Sequence, residues 1–308
     1  MIAVRRLGLA TASVIAALAV ALPAAAQGKS GSAPGKNKDT KSTPPSSSSL
    51  PALTVGASSA SPLSWIDDAS LLPPGSAAFT ISVMRWSGTD LSEVSAPIVD
   101  AAFGLTKRVQ LSATIPHVVG SADGTGPVGG WGTSYFSGKV ALLDESDDSG
   151  VKLAVSPLLE VLGEGAVQSL PEGESRYQVG LPVSVEVARG SVRMFASAGL
   201  FSRGAWFAGG GAGFPLTPRM GASVSVTRSW AKTDVEGVDR DRSEISGGVY
   251  YFVKPQIAVY GSIGHTIATS DENGAGLSVG TGVTFLLAPR QRPARKPSTR
   301  RPAATRAP

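Results

Sequence analysis

The chain has 308 residues, no cysteine, 28 basic and 23 acidic residues, and a formal charge of +5. The missing thiols exclude disulfides, thiolate metal sites, a thiol nucleophile and a lipid-bearing cysteine at a processed N-terminus. The positive charge is a property of the ends: thirteen of the basic residues lie in the first 41 and the last 19 positions, so residues 50–289 hold 15 basic against 22 acidic ones. A nucleic-acid partner is excluded on that account, because a basic binding face would have to belong to the folded body.

Residues 1–26 have Arg5 and Arg6, an apolar run from Leu7 to Leu22 and the small residues Ala24, Ala25 and Ala26. That is the pattern of a cleaved signal peptide; the alternative, a retained membrane helix, fits less well because a polar tract follows at once. Residues 27–69 are rich in Ser, Pro and Lys and too poor in large apolar side chains to offset ordering entropy, so they are expected to form a disordered linker. Residues 288–308 form a second low-complexity arm, with Arg290, Arg292, Arg295, Lys296, Arg300, Arg301 and Arg306 among Pro and Ala. The folded body is expected at 70–287.

Within that body, apolar and small or polar residues alternate with period two, which marks β-strands. In FGLTKRVQLSATIP (103–116) the alternation runs up to a tight polar break at Lys107 and resumes, the signature of a hairpin with one apolar face. The same pattern predicts strands over 76–87, 94–106, 108–118, 132–143, 150–162, 174–187, 191–202, 204–214, 218–230, 242–253, 255–267 and 275–287, twelve in all. Connections after even-numbered strands are short (around Lys107, Arg189, Pro215 and Lys254). Several after odd-numbered strands are long and polar: GSADGTGPVGGW, GEGAVQSLPEG, AKTDVEGVDRD and TSDENGAG. DESDDSG and the minimal connection Ser202-Arg203-Gly204 depart from this rule.

An even number of strands with short turns on one side and long loops on the other predicts an all-β transmembrane antiparallel up-and-down barrel with both termini in the periplasm. The competing fold is a soluble β-sandwich. Aromatic placement favours the barrel: Trp86, Trp131, Trp206 and Trp230 fall at the outer ends of strands, and Phe103, Phe214, Tyr251, Phe252 and Phe285 at the periplasmic ends. These are read as two interface girdles in contact with outer-membrane lipid.

Chemistry-bearing residues are sparse. His117 and His265 have no neighbour at metal or catalytic spacing, so no metal, cofactor or catalytic residue is assigned and the chain is not read as an enzyme. GGGAGF (209–214) sits in an alternating segment with Gly209, Gly211 and Gly213 on one parity, pointing to curvature or room for an inward object rather than a phosphate loop. The informative cluster is Lys152, Glu160, Arg176, Glu186 and Arg193, charged residues on the polar parity of three consecutive strands. Antiparallel pairing is expected to set Lys152 beside Glu186, Glu160 beside Arg176, and Arg193 near Glu186. They are read either as a charged constriction or as ion pairs that stiffen the wall.

The "GLTKRVQLSATIP" hairpin, the Gly-Trp-Gly entry at 130–132 and the following strand through Lys139 to LLDES resemble a family of outer-membrane β-barrel transporters associated with the meta-pathway of phenol degradation. The resemblance spans about 70–287 and implies a barrel that passes small, often hydrophobic or aromatic, compounds. Both long arms depart from it. The expected function is therefore an outer-membrane channel or facilitator for passive passage of small solutes. The alternative is a plugged anchoring barrel whose basic tail contacts peptidoglycan.

Overall fold

The computed structural model describes residues 68–287, except 90, 123–125, 145–149, 169–171, 231–240 and 271–274. The strands are β1 (Ala77–Ser87), β2 (Leu91–Gly104), β3 (Val109–Ala122), β4 (Gly126–Trp131), β5 (Ser134–Leu143), β6 (Val151–Val155), β7 (Leu158–Val161), β8 (Tyr177–Gly180) and β9 (Val183–Arg189). They continue with β10 (Val192–Leu200), β11 (Trp206–Thr217), β12 (Met220–Trp230), β13 (Arg242–Lys254), β14 (Ile257–Thr269) and β15 (Leu277–Leu287). Among the described residues there is one short helix, α1 (Glu164–Gln168), in the connection between β7 and β8.

Three pairs of segments are single staves of the wall interrupted for a local reason. Pro157 stands between β6 and β7 and Pro182 between β8 and β9, and neither can donate to a ladder. Hydrogen bonds bridge the gaps: Ser156 N donates to Pro182 O, Gly138 N to Pro157 O and Leu181 N to Leu200 O, each at 2.9–3.0 Å. The β4/β5 break at Gly132-Thr133 is spanned in the same way by Gly132 N to Pro116 O. With β4/β5, β6/β7 and β8/β9 each counted once, the wall has twelve staves, every one antiparallel to its neighbours. It closes where β1 meets β15 along Ala77↔Leu287, Phe79↔Phe285 and Ser87↔Leu277. The predicted strands all have counterparts, with β11 running past Pro215 to Thr217 through a register shift.

The closed wall is inside out relative to a soluble protein. Ile81, Val83, Val224, Val226, Ile263, Ile267 and Val279 are exposed on the outside, while Ser82, Ser95, Gln110, Lys139, Glu186, Glu244, Thr266 and Ser278 are buried inside. A backbone with no free edge, an apolar outer face and a polar inner face is the form in which strands cross a bilayer. The sandwich alternative fails on this closure and this polarity.

One rim, here the near rim, carries the start of β1, the end of β15 and the turns at 105–108, 190–191, 218–219 and 255–256. The opposite, far rim is less regular. There β3 and β4 extend as a hairpin, α1 fills the β7–β8 connection, and Phe201 N bonds Ala205 O in a five-residue turn with Gly204 at φ 82°. That turn explains how the minimal Ser202-Arg203-Gly204 connection suffices. The DESDDSG and AKTDVEGVDRD connections lie largely, and TSDENGAG half, outside the described residues.

Candidate functional site

The inner face is stitched by hydroxyl pairs directly opposite one another. Ser112 and Ser137, Ser225 and Ser246, and Thr80 and Thr284 approach to 2.7–2.8 Å across their ladders. Inward aromatic rings lie over inward glycines of the next stave. A Cβ at Gly211 would sit 2.7 Å from the Phe195 ring, and one at Gly282 would sit 2.7 Å from that of Tyr260. The inward object for which the 209–213 glycines leave room is thus the Phe195 side chain, and a Cβ at Gly213 would sit 3.8 Å from Arg193 Nη2.

Against this lining, the five charged residues singled out from the sequence separate into two groups. Near the near rim, Lys152 stands opposite Glu186 in the β6–β9 ladder, Nζ 3.4 Å from Oε1. Arg193 on β10 reaches Glu186 Oε2 at 3.6 Å, and the Glu186 carboxylate is 1% exposed. The other expected pair does not form: Glu160 faces Gln178 across β7–β8, and Arg176 is exposed and donates to the carbonyl of Leu162 at 3.1 Å. The reason is register. Arg176 lies before β8 begins at Tyr177, two positions from the level of Glu160.

The near-rim group is larger than the sequence pattern indicated, because the chain just before β1 enters the barrel. Arg193 Nη1 lies 2.7 Å from Asp68 Oδ2, and Lys139 Nζ donates to the Asp68 carbonyl at 3.0 Å and to that of Ser70 at 3.3 Å. Ser70 Oγ donates to Glu186 Oε2 at 2.8 Å and accepts from Lys152 Nζ at 3.1 Å. Leu72 N donates to Gln110 Oε1 at 2.8 Å. Gly75 N then bonds Gly104 O, and Gly104 N bonds Ser76 O, which carries the segment onto the wall. The carbonyl oxygens of Leu72 and Pro73 press so closely on Gly104 that a Cβ there would collide with them. Residues 68–76 therefore cross the interior from β10 to β2, touching β9, β6, β5 and β3 on the way.

Asp68 and Ala69 belonged to the expected linker, and nothing in their composition marks them as lumen residues. Lys139 and Gln110 were legible in principle, since each occupies the polar parity of an alternating strand.

A second buried group lies toward the far rim. Arg242 Nη2 donates to Thr266 Oγ1 at 3.0 Å and lies 3.9 Å from Glu244 Oε2, while the guanidinium carbon sits 5.3 Å from the centre of the Trp86 ring. This corrects the first of two girdle assignments. Trp86 shares the inward parity of Ser82 and Met84, so its ring covers a lumen arginine instead of meeting lipid. Phe252 is likewise buried inside, edge-on to Tyr250 at 5.6 Å.

The remaining girdle residues stand on the outward parity. Trp206 and Trp230 are register partners at the far rim, with Arg228 5.2 Å over the Trp230 ring, and Trp131 meets His117 edge to face at 5.8 Å. Phe103, Phe214, Tyr251 and Phe285 face outward near the other rim. His265 also lies on the outward parity of β14.

No protein-family profile and no curated protein matches the sequence. Among solved structures the fold is similar to an outer membrane channel from Pseudomonas putida F1, with a TM-score of 0.55 and 13% identity over 71% of this chain and 98% of that one. It is also similar to the NanC porin, with a TM-score of 0.51 and 11% identity over 67% of this chain and 98% of the porin. At these identities the likeness is one of fold, and that fold is the closed β-barrel of outer-membrane channels.

Proposed function

We propose that the protein is an outer-membrane channel for passive passage of small solutes, lying with its near rim and both termini in the periplasm. The observation that carries this reading is the polarity of the wall: an apolar exterior around an interior lined with hydroxyls and charged side chains, the lining suited to a polar passage. The fold shared with an outer membrane channel and a porin supports it. The family resemblance in the sequence adds small hydrophobic compounds as a solute class. Lys152, Glu186 and Arg193 would set the charge of the pathway on this reading, while Glu160 and Arg176 would contribute separately.

The placement of 68–76 inside the barrel favours a second reading, a plugged barrel that anchors envelope layers. Its proposed peptidoglycan contact through the basic tail falls on 288–308, outside the described residues. Purified full-length protein in a planar bilayer separates the two readings: the channel gives discrete current steps, and heat-modifiable, fully inserted protein that never conducts would establish the plug. An epitope in the loop at Gly126 or Asp234 should be reached from outside intact cells, and one near Lys107 or Lys254 should not; the reverse labelling overturns the orientation.

A further inference from the structure

Four strands that rise from the near rim, β1, β3, β12 and β14, begin at Ala77, Val109, Met220 and Ile257. The ninth residue of each is an arginine or a histidine: Arg85, His117, Arg228 and His265. All four stand on the outward parity; Arg85 is exposed between its register partners Val94 and Val279, and His265 between Ile245 and Leu277. Below them, the first, third, fifth and seventh residues of the same strands hold only apolar side chains and Gly261. In the other two rising staves the ninth residue is a leucine, Leu159 or Leu200.

Equal distance along strands of one tilt means equal height on the barrel. Eight steps of about 3.4 Å at a tilt of about 40° raise these side chains about 20 Å above the near rim, close to the top of an apolar band about 25 Å tall. The far-rim tryptophans share that level: Trp131 is the register partner of His117, Trp206 that of Leu200, and Trp230 lies under the Arg228 guanidinium at 5.2 Å. Outward indoles of this kind mark the headgroup level of a leaflet.

The level is also one-signed within the wall. The carboxylates of the described strands, Glu93, Asp100, Glu160, Glu186 and Glu244, all stand on the inward parity. Asp241, just before β13, lies 3.5 Å from Arg228 Nη2. An arginine on the lipid face is costly at the midplane and nearly free at the interface, where its stem covers apolar surface and its head reaches the headgroups. The planar guanidinium fork matches the oxygens of a phosphate, and an imidazole N–H adds a further donor.

We infer that Arg85, His117, Arg228 and His265 form a belt on the outside of the wall that binds the phosphate groups of the outer leaflet's glycolipid. The inference rests on the outer-membrane reading with the near rim in the periplasm, which sets the far rim in the outer leaflet, and it adds a lipid partner that the channel reading does not require. The wall below the belt would lie against the acyl chains of the same lipid.

The test uses full-length protein in detergent, with lipid binding followed by native mass spectrometry and folding checked by heat-modifiable migration. Arg85→Gln and Arg228→Gln should each weaken binding of bisphosphorylated lipid A about fivefold, and the double variant about twenty-five-fold, as expected for charges facing an anionic lipid surface. Arg85→Lys/Arg228→Lys should stay within about twofold of the unaltered protein, because it keeps both charges. Arg219→Gln, in the exposed turn of the near rim, should bind lipid A unchanged. Undiminished lipid A binding by the folded double variant overturns the belt, and so does an equal loss in Arg219→Gln, which would make total charge rather than position decisive. Phosphatidylglycerol bound more tightly than lipid A through the same two arginines overturns the glycolipid assignment and turns the far rim toward the periplasmic leaflet. Single-channel currents on the same proteins keep the two readings apart: lipid A binding that depends on both arginines in a protein that never conducts supports the belt and sinks the channel, whereas a conducting protein whose lipid binding ignores both arginines sinks the belt alone.

Discussion

The two buried charge groups of the lumen solve the same problem from different sources. At the far rim the described partners of Arg242 belong to the wall: Glu244 two residues along its own strand, Thr266 on the next, and the Trp86 ring. At the near rim Arg193 is shared between Glu186 of the wall and Asp68, 125 positions earlier in the chain. A charge neutralised by the wall is fixed as firmly as the barrel. A charge neutralised by a visiting segment is only as fixed as that segment. The far-rim group is thus expected to set stability and the near-rim group the state of the lumen.

The largest effect should follow Arg242→Met, which takes a buried guanidinium away from the buried Glu244 carboxylate and costs about 3 kcal/mol in denaturant unfolding from lipid vesicles. Ion selectivity of the variant should stay close to that of the unaltered protein, and a large selectivity change would place the working charge at the wrong rim. Arg193→Gln should cost less, about 1.5 kcal/mol, because Lys139 still holds the Asp68 carbonyl. Its clearer signature should be faster proteolysis within 68–76, and cleavage no faster than in the unaltered chain would contradict the contact. Glu186→Lys should move selectivity toward anions by placing a fourth cation among Lys139, Lys152 and Arg193. Thr266→Val should cost about 1.5 kcal/mol, the lower end for one hydrogen bond to a charged group. Arg176→Gln should be smallest, within about 0.5 kcal/mol, since its side chain is exposed and bonds only a carbonyl at the wall's edge.

Much of the wall was legible because period-two alternation dictates which residues face inward once the sheet must close. Lys152, Glu186 and Arg193 were found on that basis, and their ladder positions gave the pairing. Glu160 and Arg176 were not paired correctly, because the breaks at Pro157 and Pro182 and the start of β8 at Tyr177 shift the local register in ways that alternation alone does not encode. Trp86 shows the same limit from another side. Its position at a strand end suggested a girdle, whereas its parity with Ser82 and Met84 turns it inward. The lumen segment was invisible because Asp68 and Ser70 sit in a stretch with no period at all. Their place is set by long-range partners on β5, β6, β9 and β10 rather than by neighbours in sequence.

The central claim is that the chain before β1 lies inside the barrel, held by the near-rim charges. With no native cysteine to interfere, Ala69→Cys reports on it directly, since Ala69 is 1% exposed. In the folded protein this thiol should react with a bulky water-soluble maleimide at least about tenfold more slowly than in the urea-unfolded chain, and adding Asp68→Ala should restore much of the rate. An introduced thiol that reacts as fast in the folded barrel as in the unfolded chain would show that the segment does not occupy the lumen.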